Sequence, residues 1–235
     1  MLNELRAELK SLGDVKQAKV LQRFFKTGKG QYGEGDVFLG IKVPVQREIA
    51  KKYLNLGFVE LQELLNSKIH EERLVALIIL TDQFKKAKKD KLQQRRVFEF
   101  YMKNTFRVNN WDLVDLSAPT IVGGYLQVEG TEILKYLAKS ENLWERRIAI
   151  LATLPLIKQR KFGETLALSE LLINDKHDLM HKAVGWMLRE IGKKNLEVLE
   201  LFLSAHYKQM PRTMLRYAIE KFPEEKRKRY LKGEI

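Results

Sequence analysis

The sequence contains no cysteine and only four histidines among its 235 residues. That removes disulfides, thiol nucleophiles, iron–sulfur clusters and cysteine-based zinc sites from the chemistry open to it. His177 and His181 lie four apart in HDLMH, but the stretch lacks the glutamate of a zinc-protease motif and no third ligand stands out. No metal and no cofactor are therefore expected. The longest unbroken apolar run, Leu74 to Leu80, falls far short of the ~20 residues of a membrane span. A basic helix with aromatic residues massed on one face is also missing, so no membrane partner is expected. Met1-Leu2-Asn3-Glu4 opens a charged amphipathic stretch rather than an apolar leader, which predicts a cytoplasmic protein.

What is present is a globular composition, 45% apolar and 31% charged, which excludes wholesale disorder. A chain of this length can bury roughly 70–75% of its extended surface, enough for one domain or one repeat array. Lys and Arg number 43 against 30 Asp and Glu, a formal charge of +13. A pI near 9.7 implies long-range attraction to polyanions, nucleic acid foremost. The plainer alternative is a set of lysine-rich solvated helix faces.

Nearly every segment carries helical periodicity. Leu2, Leu5, Leu9 and Leu12 recur at helical spacing, and Gly13-Asp14 supplies a stop and a new N-cap. A second helix runs to about Lys26, and Pro44 suits the first turn of a helix carrying Val45, Ile49 and Tyr53. Further helices are predicted near 58–66, 70–86, 90–103, 111–126, 131–139, 143–158, 163–173, 177–193, 195–207, 210–221 and 224–231. The one long irregular stretch, 27–40, holds five glycines and reads as a loop or a hairpin. Its GKGQYGEG segment (Gly28 to Gly35) lacks both the Walker pattern and dinucleotide-binding spacing, and no strand precedes it.

The helices recur. Setting Arg73 against Arg147 gives a shift of 74 residues; half of it reaches Asn110, and a further 35 residues from Arg147 reaches Lys182. Two helices per unit of about 37 residues match a HEAT-like or armadillo-like array, whose repeats run ~40. The expected fold is thus all-α, an α-solenoid spanning 1–235 as a single repeat domain that functions as a monomer. Equivalent helices of such an array line one surface, so Asn110, Trp111, Arg147, Lys182 and Trp186 are expected along it.

Trp111 and Asp115 are four apart and share a helix face. With Arg147 and Trp186 they form a set of two aromatic faces, one carboxylate and one guanidinium. Aromatic faces attract cations, a carboxylate stabilises developing positive charge, and a guanidinium suits phosphate. The competing reading, with equal weight on spacing alone, makes both tryptophans core and pairs Asp115 with an arginine. Two basic runs, Lys85 to Arg96 and Lys226 to Arg229, could bind backbone phosphates or merely confer solubility.

Five blocks carry a resemblance: FLGIKVPVQREIAKKY (38–53), NNWDLVDLSAPTIVGGYL (109–126), LWERRIAILATLPLI (143–157), HKAVGWMLREIGKKN (181–195) and PRTMLRYAIEKFP (211–223). In order and over nearly the whole chain, they resemble the AlkD family of DNA alkylation repair enzymes. The resemblance implies a HEAT-like solenoid that hydrolyses the N-glycosidic bond of cationic alkylpurines, notably 7-methylguanine and 3-methyladenine, in double-stranded DNA. By motif it implies that Asp115 is the catalytic carboxylate, with Trp111 and Trp186 bordering the damaged nucleotide and Arg147 holding the backbone. Arg47 and Arg189 look similar to family residues that contact phosphates. Lys42 joins this DNA-binding set, although the family pattern has a neutral polar residue there. A tyrosine expected in the second helix is replaced by Phe24 or Phe25.

An alkylated cationic purine is already a good leaving group, which fits a site with one carboxylate and no acid to protonate the base. The alternative function is a non-catalytic DNA-binding solenoid that recognises damaged or branched DNA. A third, a protein-interaction scaffold, leaves the +13 charge without a purpose.

Overall fold

The computed structural model describes residues 1–235, the side chain of Val128 excepted. The fold is all-α. Chain contacts divide it into two compact units, Met1–Ser117 and Ala118–Ile235. The first holds α1 (Leu2–Ser11), α2 (Val15–Phe24), α3 (Val43–Lys52), α4 (Phe58–Leu65), α5 (His70–Lys86), α6 (Lys91–Lys103) and a 3-10 turn at Thr105–Arg107. α7 (Trp111–Glu129) begins in the first unit and ends in the second. The second continues with α8 (Glu132–Ala138), α9 (Leu143–Leu151), α10 (Leu154–Lys158) and α11 (Gly163–Leu171). It closes with α12 (Asp178–Lys194), α13 (Leu196–His206), α14 (Arg212–Ala218) and α15 (Glu224–Lys232). Among the described residues there is no strand, only a parallel bridge between Val37 and Ile69.

Caps explain many of the boundaries. The Asp14 carboxylate accepts from the Lys16 and Gln17 amides at 2.8 and 3.1 Å, and Asp90, Asn142 and Asn195 cap α6, α9 and α13 in the same way. Pro44 sits in the first turn of α3, where its missing N–H is harmless. The helix predicted over 143–158 is instead two, broken at Ala152-Thr153. Pro155 lies in the first turn of α10, and a proline there cannot extend the preceding helix.

Each unit is organised around one long central helix. In the first, α5 packs against α1, α3, α4 and α6. All of Leu74 to Leu80 is buried, so the apolar run is a helix covered on every side. In the second, α12 plays the same part against α9, α10, α11, α13 and α14. Packing of each helix on its neighbours in the chain is the connectivity of a helical-repeat array. Gly185 permits the close approach of α12 to α14: a Cβ there would lie 2.5 Å from the Met214 carbonyl and 2.6 Å from Tyr217 Cβ.

Residues 27–40 form successive turns tied down at their end. The buried Glu71 carboxylate accepts the backbone N–H groups of Leu39, Gly40 and Ile41 at 2.9, 2.8 and 3.2 Å. α2 is different in kind, since none of its residues is buried. It is secured by its Asp14 cap and by Phe25, which follows its last turn and is 7% exposed.

Candidate functional site

α7 starts at Trp111, which is half-buried. Its N–H donates to the Asn110 side chain at 2.8 Å. Phe25 stacks on the indole with centroids 5.0 Å apart and planes 12° from parallel. Phe24, 61% exposed, meets the indole edge-on at 5.8 Å. Trp111 is therefore neither a core tryptophan nor a freely solvated one. Trp144 is the core member, 7% exposed. Asp115 follows one turn along α7, on the Trp111 face and half-buried. The buried Tyr101 hydroxyl meets Ser117 Oγ at 3.0 Å. Burial pushes its pKa up and the nearby Asp115 charge adds to that, so it stays a neutral phenol.

Below the start of α7 lies a buried network that the sequence reading missed. His70, 1% exposed, directs Nδ1 to Asp36 at 2.9 Å and Nε2 to Asp112 at 2.8 Å. Arg73 donates to the other Asp36 oxygen at 2.6 Å and to the Ser67 carbonyl at 2.9 Å. Burial alone would lower the His70 pKa, but the Asp112 and Asp36 carboxylates overcome it and raise it from 6.5 to about 9. Burial likewise opposes the Asp36 charge, yet His70 and Arg73 hold that carboxyl below its ordinary value. Protonated His70 therefore stabilises the fold fully below pH 6.5, and that contribution is lost as pH rises through about 9. The expected loss is about 3 kcal/mol, read by urea denaturation at stepped pH. Equal stability at both ends of that window would mean that folded His70 is not held as a cation.

The second unit holds Arg147, Trp186 and Arg189. Arg147 is 5% exposed and donates from Nη1 to the Leu179 carbonyl at 2.6 Å, joining α9 to α12. Its neighbour Arg146 bonds Asp175 at 2.6 Å and the Ser140 carbonyl at 3.0 Å. Arg146 thus repeats the role of Arg73, which bonds an aspartate and the Ser67 carbonyl, each serine lying six positions upstream. Ser67 Oγ accepts the Ile69 N–H and Ser140 Oγ accepts the Asn142 N–H, both at 3.0 Å. This corrects the repeat register by one residue: SKIHEER matches SENLWER, and Arg73 corresponds to Arg146 rather than to Arg147. Arg147 then occupies the register of the core residue Leu74. A guanidinium in a leucine position is not needed for packing.

Trp186 is half-buried on α12, its indole N–H donating to Glu190 at 3.1 Å. Arg189 is engaged by Glu220. Lys42 and Arg47 are exposed at the start of α3, and neither has an ion-pair partner among the described residues. The two histidines of HDLMH have structural roles: His177 Nδ1 accepts the Leu179 N–H at 3.2 Å, and His181 Nε2 meets the Asp175 carbonyl at 2.5 Å. No group of three or more potential metal ligands occurs among the described residues. Nor is any helix of the described residues long and apolar enough to cross a membrane.

A family model for DNA alkylation repair enzymes matches residues 5–222. The chain belongs to that family. Membership in a family of DNA alkylation repair enzymes implies DNA binding, and the candidates from Lys42 to Arg189 lie within the matched span, while the basic run Lys226 to Arg229 falls beyond it. Two solved structures are similar to it in fold. One, described as a predicted DNA alkylation repair enzyme from Enterococcus faecalis, has a TM-score of 0.69 at 17% identity, covering 90% of this chain and 97% of its own. The other, AlkD2 from Streptococcus mutans, has a TM-score of 0.57 at 17% identity, covering 89% and 98%. A search of curated proteins found no match.

Proposed function

We propose that this family member is a DNA glycosylase for cationic alkylpurines, 7-methylguanine and 3-methyladenine, in double-stranded DNA. The observation that carries the reading is the pairing on α7 of a half-buried carboxylate, Asp115, with a tryptophan one turn away whose face is braced by Phe25. In the proposed reaction the C1′–N bond breaks and its electron pair leaves with the purine, neutralising the alkylated ring. Water adds to the resulting oxocarbenium-like sugar and loses a proton, giving free base and an abasic site. Because the base departs neutral, no group has to protonate it. Asp115 is assigned to stabilise the positive charge on the sugar and to orient the water. Trp111 and Trp186 are assigned to border the damaged nucleotide through their π faces. Arg147 is assigned to a backbone phosphate, a role favoured by its register, where packing alone calls for leucine. Lys42, Arg47 and Arg189 are assigned as further phosphate contacts, Arg189 after exchanging Glu220 for phosphate. We read 1–235 as a single HEAT-like repeat domain acting as a monomer.

The test is incubation with duplex DNA carrying 7-methylguanine and measurement of free base. Release well above the spontaneous rate is expected; none above it, with duplex binding intact, would leave a DNA-binding protein without excision. Affinity itself should fall with added salt, log K against log[salt] sloping about −0.9 per phosphate contacted. A salt-independent affinity would remove the backbone contacts from the proposal.

A further inference from the structure

His70 stands at a junction of three chain segments. From the glycine-rich loop comes Asp36, from the start of α7 come Asn110 and Asp112, and from α5 come His70 itself and Arg73. Asp112 reaches His70 with one oxygen and its neighbour's amide, Leu113 N–H, with the other at 2.9 Å. Asn110 accepts the Trp111 N–H and donates to Asp36 at 3.4 Å. The residues on both sides of Trp111 therefore end on the same His70–Asp36 pair. The indole is tied to it as well: Phe25, stacked on Trp111, lies 5.1 Å from the imidazole, and Phe38 stacks on that imidazole at 4.5 Å.

We infer that His70 is a positioning residue, an imidazolium clamp that fixes the first turn of α7 and with it Trp111 and Asp115. The inference rests on the glycosylase reading for its effect on rate, but not for its effect on Trp111. Other uses of His70 fit poorly. Both ring nitrogens are occupied by carboxylates, so neither is available to a metal or to a substrate proton, and the side chain is closed to solvent. A carboxylate only accepts, so both contacts are hydrogen bonds only when both nitrogens carry protons. The charges facing the ring are Asp36 from the loop, Asp112 from α7 and Arg73 from its own helix; with His70 protonated, the four groups sum to zero. Glu71, next in sequence, is spent on the 39–41 backbone. Loss of the proton would set a nitrogen lone pair against a carboxylate and release one side of the clamp. The raised pKa is consistent with that arrangement.

The experiment combines two readouts. First, His70→Gln keeps a side chain of similar reach but cannot hold both carboxylates. With protein in excess over duplex carrying 7-methylguanine, its single-turnover release should fall about 10–100-fold, with duplex Kd changed by less than about twofold, since a small misplacement of reacting groups acts on rate. Release at the rate of the unsubstituted protein would overturn the clamp. Second, ¹⁵N NMR of the unsubstituted protein over rising pH should show the Trp111 indole resonance moving with the same midpoint as the His70 ring nitrogens. A Trp111 signal that stays fixed while His70 titrates would also overturn it. This readout stands if His70→Gln fails to fold. It also separates the two proposals: no release from the unsubstituted protein defeats the glycosylase reading alone, while a shared midpoint still supports the clamp.

Discussion

Asp115→Asn is expected to slow release of 7-methylguanine by roughly 10²–10³-fold, the effect of removing one preorganised electrostatic stabiliser from a transition state. The substitution keeps size and shape and removes only the charge. In the proposed reaction that charge has no substitute, because the departing base takes the bond electrons and leaves the sugar cationic. An amide dipole in the same position still accepts a hydrogen bond from water but provides far less stabilisation of a cation. The buried Tyr101 hydroxyl keeps its Ser117 partner in the variant. Duplex binding should survive, or tighten through loss of a negative charge near phosphate. Single-turnover release measured beside a binding isotherm checks both halves. Unimpaired release by Asp115→Asn would remove this carboxylate from the chemistry.

Gly40→Ala should destabilise the protein by about 4 kcal/mol, combining backbone strain with a backbone clash. Gly40 has φ +90°, which an L side chain rarely adopts. An added Cβ would sit 2.1 Å from the Asp14 carbonyl and 2.7 Å from the Ala18 nitrogen. Both neighbours are main chain at the start of α2, so no rotamer change relieves the overlap. Moving the loop instead would pull the amides of residues 39–41 from Glu71, leaving a buried carboxylate under-bonded. Urea denaturation of the two proteins reads the difference; equal midpoints and slopes would show that the loop accommodates the Cβ with neither strain nor loss of the Glu71 bonds.

Helix content was legible because it is written locally, in apolar spacing and in caps such as Asp14 and Asp90. The error over 143–158 was also local: periodicity continues through Pro155, and the proline decides the break. The repeat was legible as a rhythm but misread by one residue. ERR offers two arginines, and only their partners separate Arg146, which repeats Arg73, from Arg147. Spacing correctly grouped Trp111 with Asp115 on one face. It could not tell what that face meets, since Phe25 reaches Trp111 from far upstream. The His70 network was invisible for the same reason. Its members come together across 34 and 42 positions, and no spacing rule joins them. One signal was available: the polar HEER segment opening a helix whose next seven residues, Leu74 to Leu80, are all apolar has to find polar partners somewhere.

A consequence follows from α2, the helix without a buried residue. Opening it exposes little apolar surface, so it should come apart at a small fraction of the free energy that unfolds the whole chain. Phe24, its last residue, and Phe25, just beyond it, form the wall against Trp111. That wall is therefore rigid on the side tied to His70 and compliant on the side that leads into α2. Such a boundary between a stiff element and a yielding one lets the Phe24 edge adjust to a bound nucleotide while Trp111 stays in register.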